Sequence, residues 1–297
     1  MARRILSEKT SAVNTLSTAW DFYARLTLST RKAQVTEAGR YRNYLEPPLG
    51  KTPLTEIKNL QIALLRQNLE GQGLSLQTVH HCLSLLRRVL RRAIEWELYP
   101  GPVPVFRMPK FDNKRMRYLS KEEAISLLAN LKLSSKTWHD ITVLALNTGL
   151  RAGEIFKITL NDINFVDLTV HIQDTKSKKN RVIPLNRQAL KVLLDNSRDG
   201  DKEKPIFDIN AAYTRPFTKA VEHCGFNDGV ADRRERVVFH TLRHTFASWL
   251  VQEGVPIVIV AQLLGHSDLR MTMRYSHLAP NAAKSAVNTY LPELATA

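Results

Sequence analysis

The chain has 297 residues, 43% hydrophobic and 24% charged, with 12 Gly and 13 Pro. This excludes a fibrous or disordered protein and leaves enough apolar material for one large core or two ordinary ones. Lys and Arg number 43 against 28 Asp and Glu, a formal +15, and residues 1–106 carry 15 against 8. Both halves are therefore basic, which points to a polyanionic partner more than to a merely soluble basic protein, since clustered cations displace the counterions condensed on nucleic acid.

In chain order, apolar residues at helical spacing predict helices over 16–28 and 34–45, with Glu46-Pro47-Pro48-Leu49-Gly50 breaking the pattern. A third helix is expected over 55–70, with Ile57, Leu60, Leu64 and Leu65 on one face. The fourth, 75–96, has the clearest stripe: Val79, Cys82, Leu83, Leu86, Leu90, Ala93 and Ile94. Its other side carries His80, Ser84, Arg87, Arg88 and Arg91, with few acids before Glu95. That side is read as a phosphate-backbone contact, the alternative being a solvated polar face.

Pro102, Pro104 and Pro109 and a basic run mark 101–118 as a linker between a helical domain, 12–100, and a second domain, 119–297. Ser120-Lys121-Glu122-Glu123 fits a capping box. Helices are expected over 121–131, 137–147 and 152–158, and then a hairpin from Val170–Gln173 and Arg181–Leu185, joined by a strand near Ile163–Val166. Further helices are expected over 187–195, 211–223, 241–253, 256–264 and 268–276, with a last apolar segment at 286–291. The fold class is thus mainly α with a small antiparallel sheet.

Cys82 and Cys224 lack metal-ligand spacing and read as small buried residues of a reducing compartment. Met1–Thr10 is polar and basic, and the most apolar stretch, Val255–Gly265, is too short to span a bilayer, so a cytoplasmic location is expected. No Gly-rich phosphate loop, H-E-x-x-H, cysteine cluster or G-x-S-x-G is present, nor a close carboxylate set for Mg²⁺.

Four short frames concentrate Arg, His and Tyr instead. In Thr148-Gly149-Leu150-Arg151-Ala152-Gly153-Glu154, Arg151 starts a helix, where backbone N–H groups favour an anion, and Glu154 can orient its guanidinium. In His240-Thr241-Leu242-Arg243-His244, His240 and Arg243 share a helix face. Leu264-Gly265-His266 and Arg274-Tyr275 follow, with Tyr275 nine residues after His266. Each residue alone reads as a surface charge or a packed side chain.

As an ordered set, Arg151, His240-x-x-Arg243, Leu264-Gly265-His266 and Tyr275 resemble the signature of the tyrosine recombinase, or phage integrase, family. The two-domain layout resembles that family too, which implies a SAM-like core-binding domain followed by a catalytic domain. The resemblance implies that Arg151, Arg243 and His266 hold a DNA phosphate while Tyr275 attacks it to give a 3′-phosphotyrosine, with no metal or other cofactor. It makes His240 the residue that helps move the tyrosine's proton and Glu154 a support for Arg151. A hairpin lysine protonates the leaving 5′-oxygen; Lys176 matches best, with Lys178 and Lys179 in the same turn as alternatives and otherwise phosphate contacts. His244 and His277 map to no chemical role and are expected to pack.

The implied partners are double-stranded DNA, a homotetramer on paired sites whose subunits exchange a segment near 282–297, and an accessory DNA-bending or directionality protein. An enzyme integrating or excising a prophage or genomic island is the leading expectation. A Xer-like resolvase of chromosome dimers, a topoisomerase-like enzyme and a non-catalytic DNA-binding module are the alternatives.

Overall fold

The structure is a computed structural model that describes residues 14–28, 31–111, 117–173, 180–197, 202–207, 209 and 214–280. The expected acids Lys176, Lys178 and Lys179, and the segment near 282–297, lie outside the described residues. The chain forms two compact units, Met1–Asn113 and Lys114–Ala297. Among the described residues no helix is long and apolar enough to cross a membrane.

The first unit contains α1 (Leu16–Thr27), α2 (Arg31–Arg40), α3 (Asn59–Gly71) and α4 (Leu76–Glu95). The proline pair does not break the second helical run. α2 widens into a π turn at Tyr41–Leu45 and continues as a helical turn, Glu46–Leu49, with the prolines in its first positions, where a missing N–H is tolerated. Tyr41 stacks on Trp20 with ring centroids 4.3 Å apart.

The core-facing side of α3 is Ile62, Leu65 and Leu69, whereas Leu60 and Leu64, expected inside, are exposed. α4 buries more of its circumference than the sequence stripe suggests, because Leu85 and Val89 are also enclosed. The start of the proline-rich stretch is docked onto its unit. Val105 donates its backbone N–H to Asn59 at 2.8 Å, Arg66 donates to the Arg107 carbonyl, and Phe106 and Met108 pack against the core.

The second unit begins with α5 (Lys121–Ser134), α6 (Lys136–Thr148) and the single-turn α7 (Ala152–Ile155). The capping box forms: Ser120 Oγ accepts from the Glu123 N–H while Glu123 accepts from the Ser120 N–H. Strands β1 (Ile163–Asn164), β2 (Thr169–Ile172) and β3 (Arg181–Pro184) form an antiparallel sheet in sequence order, with Ile163 opposite Val170 and Ile172 opposite Arg181. Then come α8 (Arg187–Asn196), α9 (Arg215–His223), α10 (Phe239–Gln252), α11 (Ile257–Leu264) and α12 (Arg270–Met273).

α7 ends three residues earlier than expected because the chain turns to send Ile155, Phe156 and Ile158 into the core, and the Ile158 carbonyl takes a bond from Ile206. α10 organises the unit. Residues Thr241 to Ser248 are all buried, Leu242 in the main core with Trp138 and Phe217, and Phe246 in a smaller core with Val260, Leu264 and Tyr275. Polar side chains on this helix are therefore fixed by packing on both sides.

Candidate active site

Arg151 is the N-cap of α7, delivered by a tight turn from α6. That turn needs Gly149: its φ is +64°, and a Cβ there would sit 2.4 Å from the Phe246 ring. Glu154, one turn on, receives four N–H donors. Arg151 gives its backbone N–H and an Nη1 bond, each at 2.8 Å, and Arg181 gives a two-pronged pair at 3.0 and 2.8 Å. Burial would raise the Glu154 carboxyl, but the bonds from Arg181 and Arg151 outweigh it and hold it below the usual range. A permanent carboxylate thus fixes both guanidiniums.

In the sequence Arg181 is only the first residue of an expected strand. Its partners lie 27 and 82 residues away, since it also reaches the Leu263 carbonyl, so no local pattern could reveal them.

Arg243 lies on α10, 3% exposed, and bonds the carbonyl of Gly149 at 2.8 Å and that of Leu264 at 2.5 Å. It therefore ties the turn before Arg151 to the turn before His266. Two of five N–H donors serve this purpose, leaving others for a ligand. Burial pushes its guanidinium down to about 9, with Arg151 pushing the same way, so it remains a cation at neutral pH.

Gly265 ends α11 at φ +65°, and the His266 N–H reaches back to the Ala261 carbonyl, a left-handed helix cap. A Cβ on Gly265 would meet Arg181 Cδ at 2.7 Å. The glycines of both frames are thus demanded by backbone and packing. His266 Nδ1 is 2.7 Å from Thr272 Oγ1, and the Tyr275 N–H bonds the Thr272 carbonyl, so the nine-residue spacing builds one compact corner. Burial, then Arg243, Arg151, Arg274 and Arg181, push the His266 imidazole down to about 4. It is neutral at physiological pH.

Tyr275 is 5% exposed, and burial raises its phenol to about 12, with Arg274 and Arg243 acting in opposition. Its hydroxyl stands 2.5 Å from Nδ1 of His244. His244 was expected only to pack; instead it is 7% exposed and touches the tyrosine's oxygen. Its signal in the sequence was its place four residues after His240, which sets the two on one helix face. His240 stands edge-on to it, ring centroids 4.9 Å apart, at the exposed first turn of α10. His277, also expected to pack, is exposed.

The structure therefore brings Arg151, Glu154, Arg243, His266 and Tyr275 into one linked cluster, with His240 beside His244, and adds Arg181, His244 and Thr272. The polar side of α4, in the other unit, is less uniform. His80 is a correction: both its ring nitrogens are enclosed without a hydrogen-bond partner and its ring packs against Phe111, so it is not presented to a phosphate. Arg88 is exposed but bonded to Glu37 and to the Tyr23 hydroxyl, so it does have an acid partner. Ser84 and Arg87 are half-buried, and Arg91 is exposed.

A profile of the phage integrase family matches residues 117–282, more than half of the chain. The integrase of Salmonella phage P22 is 34% identical over 212 residues, covering 67% of this chain and 53% of that protein. Tyrosine recombinase XerD of Staphylococcus haemolyticus is 28% identical over 240 residues, 76% of this chain and 80% of its own. In fold, the chain is similar to the Tn1549 transposon integrase solved with circular intermediate DNA (TM-score 0.74, 18% identity, 92% of this chain and 99% of that one). It is also similar to a lambda integrase tetramer bound to a Holliday junction (TM-score 0.72, 20% identity, 91% and 80%). The fold is thus mostly helical with a small antiparallel sheet, as in these integrase structures. The chain belongs to the phage integrase family of tyrosine recombinases. It spans about half the length of the P22 integrase.

Proposed function

We propose that the protein is a site-specific recombinase that cuts and rejoins duplex DNA through a covalent 3′-phosphotyrosine on Tyr275. The observation that carries this reading is Arg243 bonding Gly149 and Leu264, which gathers Arg151, His266 and Tyr275 into one cationic corner. A phosphodiester resists attack because its non-bridging oxygens are negative and gain charge as a nucleophile adds. Guanidiniums already fixed by Glu154 and by backbone carbonyls supply donors to those oxygens without reorganising, and neutral His266 adds another.

Tyr275 Oη then bonds to phosphorus as the bond to the 5′-oxygen breaks. The phenolic proton passes to a histidine of α10, and the leaving oxygen takes a proton from the hairpin lysine, Lys176, with Lys178 and Lys179 as alternatives. The phenolate is the better leaving group of the two oxygens, so the incoming strand's 5′-hydroxyl reverses the step without an energy source.

The working unit is a homotetramer on paired sites with a bending or directionality protein, acting at the bacterial nucleoid. The identity to a phage integrase favours integration or excision of a prophage or genomic island. The longer alignment to XerD supports a second reading, resolution of chromosome dimers. Direct repeats or a tRNA end beside the gene mark the first reading and supply the test duplex. On a nicked suicide duplex built from that repeat, the wild type forms an adduct stable to denaturant, whereas Tyr275→Phe binds and forms none. An adduct with Tyr275→Phe overturns the assignment.

A further inference from the structure

The phenol that must attack is buried, and a buried phenol does not ionise unaided near neutral pH. Some group in contact with its oxygen must accept the proton. Among the described residues, Nδ1 of His244 touches the Tyr275 hydroxyl, at 2.5 Å, with the two rings 5.9 Å apart and tilted by 49°. His244 is itself 7% exposed and sits on the most enclosed stretch of α10, where Thr245 and Leu242 hold the backbone in place, so its imidazole cannot swing aside cheaply. Thr245 bonds the Thr241 carbonyl and accepts from the Leu119 N–H, which anchors this turn of the helix to the start of the unit.

We propose that His244 is the base that takes the proton of Tyr275 as it attacks and returns it when the strand is resealed. This rests on reading Tyr275 as the nucleophile. In the forward step the Oη–P bond forms, the P–O5′ bond breaks, and the phenolic proton moves to Nδ1 of His244, giving an imidazolium. In reversal the imidazolium reprotonates the departing phenolate. Nδ1 must be the acceptor, so the resting ring carries its proton on Nε2. The groups around the pair are His240 on the same helix, Arg243 one residue away, and Arg274 next to Tyr275. The arginines favour the phenolate that the transfer creates. His240, edge-on at the exposed first turn, becomes a neighbour that tunes His244 and not the direct acceptor.

The test uses the full chain and the nicked suicide duplex described above, with single-turnover adduct formation and duplex binding both measured. His244→Asn keeps an acceptor oxygen near the Nδ1 position but cannot hold a transferred proton. It is expected to bind the duplex normally and cleave about a hundredfold more slowly. Replacing Tyr275 with a fluorinated tyrosine, which ionises more readily, should then recover at least about tenfold in the His244→Asn background and far less in the wild type, as general-base catalysis requires.

His240→Asn serves as the comparison and should show no such recovery. Cleavage by His244→Asn at the wild-type rate would overturn the proposal. So would an equal deficit with either phenol, which marks a packing role, or recovery confined to His240→Asn, which makes His240 the base. An adduct with Tyr275→Phe would instead overturn the underlying nucleophile assignment, whatever His244 does.

Discussion

At the scale of single residues, the site works by holding groups in states that water would not give them. Burial and four arginines keep His266 neutral, with its imidazole pushed down to about 4. In the unfolded chain the same side chain titrates near its ordinary 6.5. Above about 6.5 neither state binds the proton and the folded protein has its full stability. As pH falls from about 6.5 to about 4 the unfolded chain is protonated first, so the DNA-free protein loses stability across that window. His266→Gln should remove this loss: its Tm should fall less between those pH values than that of the wild type. Parallel Tm profiles would show that the cationic surroundings do not act on His266 as the geometry indicates.

At the scale of elements, two turns and one strand carry the site. Gly149 and Gly265 are both left-handed and both have a neighbour where a Cβ would go, so Gly149→Ala should cost about 2 kcal/mol in chemical denaturation, through backbone strain and displacement of Phe246. Arg181→Ala removes two of the bonds to a carboxylate that is itself largely enclosed, both side chains being near 12% exposed (11% and 13%). It should cost about 2–3 kcal/mol and slow cleavage more than it weakens DNA binding, because Arg151 loses its fixed partner. An Arg181→Ala protein with wild-type stability and cleavage would show that Glu154 does not depend on the strand.

What the sequence made legible at this scale follows from periodicity. α4, α5, α6 and α8 sit close to their expected bounds because apolar spacing and caps are local signals. The inward face of α3 differs from the sequence reading because Leu60 and Leu64, four apart, share helical spacing with each other but not with Leu65, and the buried side is Ile62, Leu65 and Leu69. The Arg181–Glu154 bridge and the His244–Tyr275 contact join residues 27 and 31 positions apart, and only tertiary packing brings them together. The ordered motif residues were legible as a set; the groups that orient them were not.

At the scale of the whole molecule, the excess of positive charge belongs to both units, 15 against 8 in residues 1–106 and a further surplus beyond. If both units engage phosphates, specific binding should weaken by about a thousandfold or more between about 50 and about 200 mM salt. A shallow dependence, equal to that of the second unit expressed alone, would remove the first unit from the interface. Arg91, exposed on α4, is a contributor on this account, and Arg91→Ala should reduce the salt slope by about one contact. His80→Ala should leave the slope unchanged.

The central claim is that the DNA phosphate becomes attached to Tyr275. The adduct trapped on the suicide duplex, digested with protease and nuclease and mapped by mass spectrometry, tests it most directly. A nucleotide-bearing peptide modified at Tyr275 is the predicted result. Modification at another tyrosine, or at a serine, with Tyr275 unmodified, would contradict it.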